Sequence, residues 1–202
     1  IHSFPTRRSS DLVSWGYRYV TTKDELSAVN SGKVLGLFST KSHLDYELDR
    51  VAKGAASTQP SLSEMTAKAI DLLSQNSQGY FLMVEGGRID HALHATNAKR
   101  SLTDAVALDE AVKTALGKVD LSDTLIVVTA DHDHTMTING YSAKGNKVLD
   151  LVKNADGSTQ NDADGKPFTT LVFGNGPNRQ DQRPTLTRDE VMADDYLQET
   201  GV

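Results

Sequence analysis

Two continuous apolar runs constrain the fold of this chain more than any other feature. They cover residues 80–84 (YFLMV) and 124–130 (TLIVVTA). Apolar runs of this length without polar alternation are typical of parallel strands that are covered on both faces. Shorter β-favouring runs at 17–20 and 34–38, and a third buried run at 169–173, predict further strands.

Two helices are predicted between these runs. The first covers 61–76, where Ser61 and Glu64 have the spacing of a capping box and are followed by one apolar stripe. The second covers 101–116 and is expected to begin at Ser101. Strands that alternate with helices in this way predict an α/β protein.

Composition excludes several classes of protein. The 202 residues suffice for one large domain or for part of a larger one. A formal net charge of −6 leaves no basic stripe for nucleic acid, so specific nucleic-acid binding is not expected. No run approaches the roughly 18 apolar residues of a membrane span. The chain has no cysteine, so any metal site must use His, Asp and Glu.

The first twelve residues, IHSFPTRRSSDL, are expected to be non-native. The string HSFPTRRSSDL looks like the translation of a common sequencing-library adapter, and the alternative is a disordered basic arm. Its histidine, His2, is therefore not a candidate ligand, and the native coding sequence is expected to begin upstream.

Side chains that can bind metal follow directly on the two long apolar runs. The first group lies in VEGGRIDHALH and the second in TADHDH; they comprise Glu85, Asp90, His91 and His94, then Asp131, His132, Asp133 and His134. Because the carboxyl ends of parallel strands share one edge of a sheet, we expect the two groups to meet there. Mixed His and carboxylate donors suit zinc, whereas oxygen donors alone suit magnesium.

The spacing within the first group also favours a shared ion. Asp90 and His94 are four residues apart, so one helical turn would let them share an ion, while Glu85 could reach a different one. Each group also has a plainer interpretation, as a solvated polar loop or as a cap beside a surface histidine. His43 has no partners nearby in sequence and is expected on the surface.

The polar stretch 154–168 (NADGSTQNDADGKPF) does not fit a calcium-binding loop. Aligning Gly165 with the loop's glycine leaves Leu171 where the bidentate acid should stand. A hairpin with Asp-Gly turns is the better prediction.

With VEGGRIDHALH followed by VVTADHDH, the sequence resembles the alkaline phosphatase family over residues 15–202. The resemblance implies a three-layer α/β/α sandwich with a mostly parallel central sheet, of which residues 13–202 would be a partial catalytic domain, truncated at both ends. It also implies two zinc ions and one magnesium ion, with each candidate residue in a role: Glu85 on magnesium, Asp90 and His94 on the first zinc, Asp131 and His132 on the second, His91 near the phosphate through water, and His134 orienting Asp90.

The activity implied by the resemblance is hydrolysis of phosphate monoesters through a phosphoserine intermediate. The serine, a phosphate-binding arginine and the remaining metal ligands would lie outside this chain, so the chain alone is expected to be inactive. A homodimer and a periplasmic or secreted location are implied for the parent. A related phosphodiesterase, sulfatase or mutase, or a non-catalytic metal-binding fragment, are the alternatives.

Overall fold

A computed structural model describes residues 9–174, 176–178 and 180–199, with the side chains of residues 9 and 10 left aside. Its helices and strands follow one another in this order: α1 (Ser9–Ser14), β1 (Tyr17–Val20), α2 (Lys23–Ser27), β2 (Lys33–Gly36), α3 (Glu47–Ala52), a 3₁₀ turn (Gly54–Ala56), α4 (Leu62–Leu73), α5 (Arg88–His94), α6 (Ala98–Leu116), β3 (Met136–Ile138), β4 (Leu171–Phe173) and α7 (Arg188–Met192). The chain divides into two compact units, Ile1–Gly86 with Val106–Ile126, and Gly87–Ala105 with Val127–Val202.

The first unit is built on the parallel pair β1 and β2, in which Val20 pairs with Gly36. Val20 is buried with Leu26 and Val29, and the apolar side of α4 packs on them through Met65 and Leu72. Both strands were predicted from the sequence, and their parallel pairing agrees with an α/β arrangement.

Helix α4 begins as the sequence predicts. The Ser61 hydroxyl accepts a hydrogen bond from the Glu64 N–H at 3.1 Å, and the Glu64 carboxylate accepts one from the Ser61 N–H at 2.6 Å. This reciprocal capping box satisfies two backbone donors that a helix start leaves unpaired. The helix ends at Leu73, three residues before the predicted end at 76.

The second unit contains the antiparallel pair β3 and β4, in which Met136 pairs with Phe173. Leu171 and Phe173 are buried, and they pack with Leu93 from α5 and Ala98 from the start of α6. The buried run at 169–173 is therefore a strand, as predicted, although only its last three residues are assigned to β4. Its partner β3 was not predicted, because MTI is too short to give an alternating pattern.

The two long apolar runs are not strands, which corrects the sequence prediction. Residues 80–84 and 124–130 form neither helix nor strand and belong to no sheet among the described residues. Most of their large side chains are exposed to solvent, with Phe81 87% and Leu125 86% exposed. A parallel central strand needs a neighbour on each side, and the described part of the chain supplies none.

Helix α6 begins earlier than predicted, at Ala98 instead of Ser101. The side-chain oxygen of Asn97 accepts a hydrogen bond from the Arg100 N–H at 2.9 Å, which is the action of an N-cap. The Ser101 N–H then bonds to the Asn97 carbonyl at 3.1 Å, inside the helix. The sequence prediction placed the start of this helix at Ser101, whereas Asn97 is the residue that caps it.

The polar stretch 154–168 forms hairpin turns, as predicted. Isolated bridges join Lys153 to Thr159 and Asn161 to Pro167. Each turn carries a glycine with positive φ, Gly157 at 85° and Gly165 at 73°. An Asp-Gly pair suits such turns because glycine adopts positive φ without steric penalty.

The N-terminal prediction is only partly covered by the description. Residues 1–8 lie outside the described part of the chain, and Ser9–Ser14 form α1. The interpretation of residues 1–12 as non-native, like that of 13–202 as a partial catalytic domain, stays a prediction.

Across the described ranges, no helix combines the length and the apolar character needed to cross a bilayer. The longest, α6, has 19 residues and carries charged side chains along its length.

Candidate metal centre

Helix α5 presents most of the first polar group from one short segment. Ala92 and Leu93 are buried, so one side of the helix is anchored in the core of the second unit. Asp90 and His94 are four residues apart and share another side of the helix. The apolar positions thus fix the helix while its polar positions remain accessible.

Asp90 connects the two sequence groups. Its Oδ2 lies 3.5 Å from His94 Nε2, and its Oδ1 lies 3.8 Å from His132 Nε2. His132 Nε2 in turn lies 3.4 Å from Asp131 Oδ2. Side chains from two segments about forty residues apart therefore face one another across a few ångströms, as the sequence led us to expect.

His134 completes the cluster from an unusual backbone conformation. Its φ is 61°, in the left-handed region that residues with a side chain seldom occupy. Its ring stands edge-on to the His94 ring, with 4.5 Å between centroids, and lies 6.0 Å from the His132 ring. Strained conformations of this kind concentrate at functional sites. Here the left-handed turn brings His134 against the α5 side chains.

The donor set of this cluster fits a divalent cation. Asp90, His94 and His134 each offer a ligand atom within 4.8 Å of the others. Asp90 Oδ1 and His134 Nδ1 are buried and have no hydrogen-bond partner among the described residues. Buried polar atoms normally have a hydrogen-bond partner or a bound ion, so these two atoms indicate a binding position for one. A cation that accepts nitrogen and oxygen donors satisfies both.

Asp131 and Glu85 differ from these residues. Asp131 is largely exposed and contacts the cluster by way of the His132 side chain. Its carboxylate also accepts a hydrogen bond from the His132 backbone N–H at 3.0 Å. Glu85 belongs to the first unit and directly follows the apolar run 80–84. The metal-binding roles of both, like those of Asp90, His94 and His132, stay predictions. His43 is exposed, as expected.

Arg88 was not singled out by the sequence. Its Nη1 lies 3.1 Å from His91 Nδ1, and the two residues are three positions apart on α5. The i,i+3 spacing was visible in the sequence, but many such pairs on helices do not interact. The hydrogen bond is therefore information that the structure adds.

Comparison with known proteins identifies one family. The family model described as alkaline phosphatase matches residues 9–201. The tissue-nonspecific alkaline phosphatase of Gallus gallus is 47% identical over 163 residues, which are 79% of this chain and 30% of that protein. The membrane-bound alkaline phosphatase of Bombyx mori is 40% identical over 196 residues, 94% of this chain and 33% of that protein. The chain thus spans about a third of the length of these relatives.

A solved structure supports the fold. The crystal structure of a cold-active alkaline phosphatase from the psychrophile Shewanella sp. superposes with a TM-score of 0.57 at 33% identity. The match covers 67% of this chain and 32% of that one. The expected α/β fold is confirmed at this level, in a chain that itself carries few strands. With the clustered Asp and His side chains in place and the match extending over nearly all of its length, the chain belongs to the alkaline phosphatase family.

Proposed function

We propose that this chain contributes metal ligands to an enzyme that hydrolyses phosphate monoesters. The observation that supports this most directly is the approach of His132 to Asp90, which brings the two sequence groups into one cluster. Family membership supplies the reaction class, since the matching relatives are named alkaline phosphatases.

The proposed ligands fall into three sets. Asp90 and His94 bind a first zinc ion, and His134, which lies close to both, orients Asp90. Asp131 and His132 bind a second zinc ion, in line with their 3.4 Å approach. Glu85, which offers only oxygen donors, binds magnesium. Imidazole and carboxylate donors together suit zinc, and oxygen donors suit magnesium.

Two zinc ions held in this way would supply the positive charge that stabilises the oxygens entering and leaving phosphorus. The residues of the chain have complementary tasks. The carboxylates of Asp90 and Asp131 offset the positive charge of the ions and fix the orientation of the neighbouring imidazoles. His91 contacts the phosphate through water. The serine that forms the phosphoserine intermediate, and the arginine that binds the phosphate, are proposed to lie outside residues 1–202.

The setting of the whole protein is likewise a proposal. The substrate class is small phosphate monoesters, and a homodimer is proposed for the complete enzyme. A periplasmic or secreted location follows from the family resemblance, although one relative carries a membrane-bound description.

The test uses the complete protein that is encoded by the gene of this chain, supplied with zinc and magnesium. We expect hydrolysis of an aryl phosphate at alkaline pH, loss of activity to a chelator, and recovery when zinc is returned. Asp131→Ala is expected to reduce kcat/KM by at least about 100-fold, because it removes a ligand and leaves His132 without its carboxylate.

His43→Ala is the matched control, since it removes an exposed histidine outside the cluster, and it should leave the rate unchanged. Retained activity in Asp131→Ala would count against the ligand assignment. Faster turnover of a phosphodiester or a sulfate ester than of the monoester would show that phosphate monoesters are not the preferred substrates.

A further inference from the structure

Arg88 and His91 form a hydrogen-bonded pair on α5 that the proposed ligand sets leave out. The two residues are three positions apart, which places them on the same side of the helix. Arg88 Nη1 lies 3.1 Å from His91 Nδ1. The guanidinium and imidazole are both half-buried, so this bond is partly protected from competing water.

The chemistry of the pair settles which atom carries the hydrogen. A guanidinium has five N–H donors and no acceptor, so Arg88 can only donate. His91 Nδ1 must therefore accept, and a neutral imidazole that accepts at Nδ1 carries its hydrogen on Nε2. The contact thus selects one of the two tautomers that an unrestrained histidine can adopt.

We propose that Arg88 is a positioning residue, which holds the His91 ring in a single orientation and in the Nε2–H tautomer. With Nδ1 accepting from Arg88, the Nε2 side of the ring presents a hydrogen-bond donor. The oxygens of a phosphate monoester dianion are acceptors, and a water bound to them is held best by a donor of fixed direction. The opposite tautomer would present a lone pair at the same edge.

The inference about the ligand rests on the proposed function, whereas the inference about the tautomer does not. A donor edge fixed in advance spares the site the reorganisation that a freely rotating imidazole would require when phosphate arrives. Arg88 would thereby act on phosphate binding without touching phosphate itself.

The direct test is nitrogen NMR of the full chain labelled at histidine. We expect His91 Nδ1 to give the signal of an unprotonated acceptor and Nε2 that of a protonated nitrogen. In Arg88→Ala the two signals should move toward each other as the tautomers interchange. Arg88→Met, a good helix former of similar length, provides the same comparison should the alanine variant fail to fold.

Arg50→Ala is the matched control. Arg50 also belongs to an i,i+3 pair on a short helix, with Glu47 at 2.6 Å, in the first unit. Its removal should leave the His91 signals unchanged. A hydrogen on Nδ1 in the unaltered chain, or His91 signals that stay the same in both Arg88 variants, would overturn the proposal.

A second measurement connects the pair to phosphate. In the complete protein encoded by the gene, with zinc and magnesium present, Arg88→Met should weaken inhibition by inorganic phosphate about 10-fold. The variant should change kcat less than KM. An NMR result as expected in a protein without phosphatase activity would refute the proposed function and leave the pairing intact. Unchanged inhibition by phosphate, with the NMR result as expected, would refute the role in phosphate binding.

Discussion

Asp150 is a buried carboxylate that links two segments of the second unit through hydrogen bonds. Its side chain is only 4% exposed and accepts hydrogen bonds from Arg188 Nε at 3.0 Å and from the Leu151 N–H at 2.8 Å. Burial by itself would raise the pKa of Asp150. The bonds from Arg188 and the Leu151 backbone, with the charge of Lys153, outweigh it and lower the pKa below its ordinary value.

A carboxyl group whose pKa is lower in the folded than in the unfolded state stabilises the fold above its unfolded pKa, near 3.9. This contribution is lost as the pH falls through the folded pKa. Asp150→Asn should therefore lower the free energy of unfolding at pH 7 by about 1–3 kcal/mol and flatten its decline below about pH 4. Urea unfolding followed across this pH range measures both effects.

The control for this variant is Asp181→Asn, at an exposed aspartate, which should leave the pH profile unchanged. An unaltered acid limb in Asp150→Asn would show that the lowered pKa does not contribute to stability.

At the scale of the element, α5 ends in a turn that normally requires glycine. The Asn97 N–H bonds to the Ala92 carbonyl at 2.9 Å and the Thr96 N–H to the Leu93 carbonyl at 3.0 Å, the two bonds of a Schellman motif. Thr96 occupies the left-handed position of this motif, with φ at 57°. A β-branched residue is unfavourable there. The turn matters for the site because it directly follows His94.

Thr96→Gly should be more stable than Thr96→Ala by about 1 kcal/mol, because both variants remove the buried hydroxyl but only glycine relieves the left-handed strain. Chemical denaturation of the two variants provides the comparison. Ala95→Gly is the matched control in the same turn, where φ is −79° and glycine should destabilise the chain. Equal stability of the two Thr96 variants would mean that the turn stores no such strain.

At the scale of the whole molecule, the chain combines well-formed helices with two unpaired apolar segments. Residues 80–84 and 124–130 make no sheet hydrogen bonds within the described ranges, and most of their large side chains face solvent. The relatives are about three times as long as this chain. The segments have the composition of central strands, but the described part of the chain supplies them with no partner strand.

Hydrogen exchange of the chain alone should show this difference. Amides in 80–84 and 125–130 should exchange early, because no ladder among the described residues protects them. The amides of α4 and of Phe173 on β4, whose N–H bonds to the Glu199 carbonyl at 3.2 Å, should exchange far more slowly. Peptide-resolved mass spectrometry measures the rates. Protection of the two runs equal to that of β4 would contradict the unpaired arrangement.

The sequence by itself determined the features that depend on hydrogen bonds within a few residues. The capping box of Ser61 and Glu64 and the two Asp-Gly turns lie where they were predicted, since their donors and acceptors are sequence neighbours. The donor types of the site were equally legible, because a chain without cysteine leaves only His, Asp and Glu for metal.

Only the tertiary structure decided which of these donors meet. The 3.8 Å approach of His132 to Asp90 and the contact of the His134 ring with His94 depend on how residues 132–134 lie against α5, which no local pattern encodes. Strand formation was decided at the same level. The run at 169–173 pairs with β3, whereas the more apolar runs pair with nothing among the residues that the structure describes. A strand exists only where another backbone supplies its hydrogen bonds.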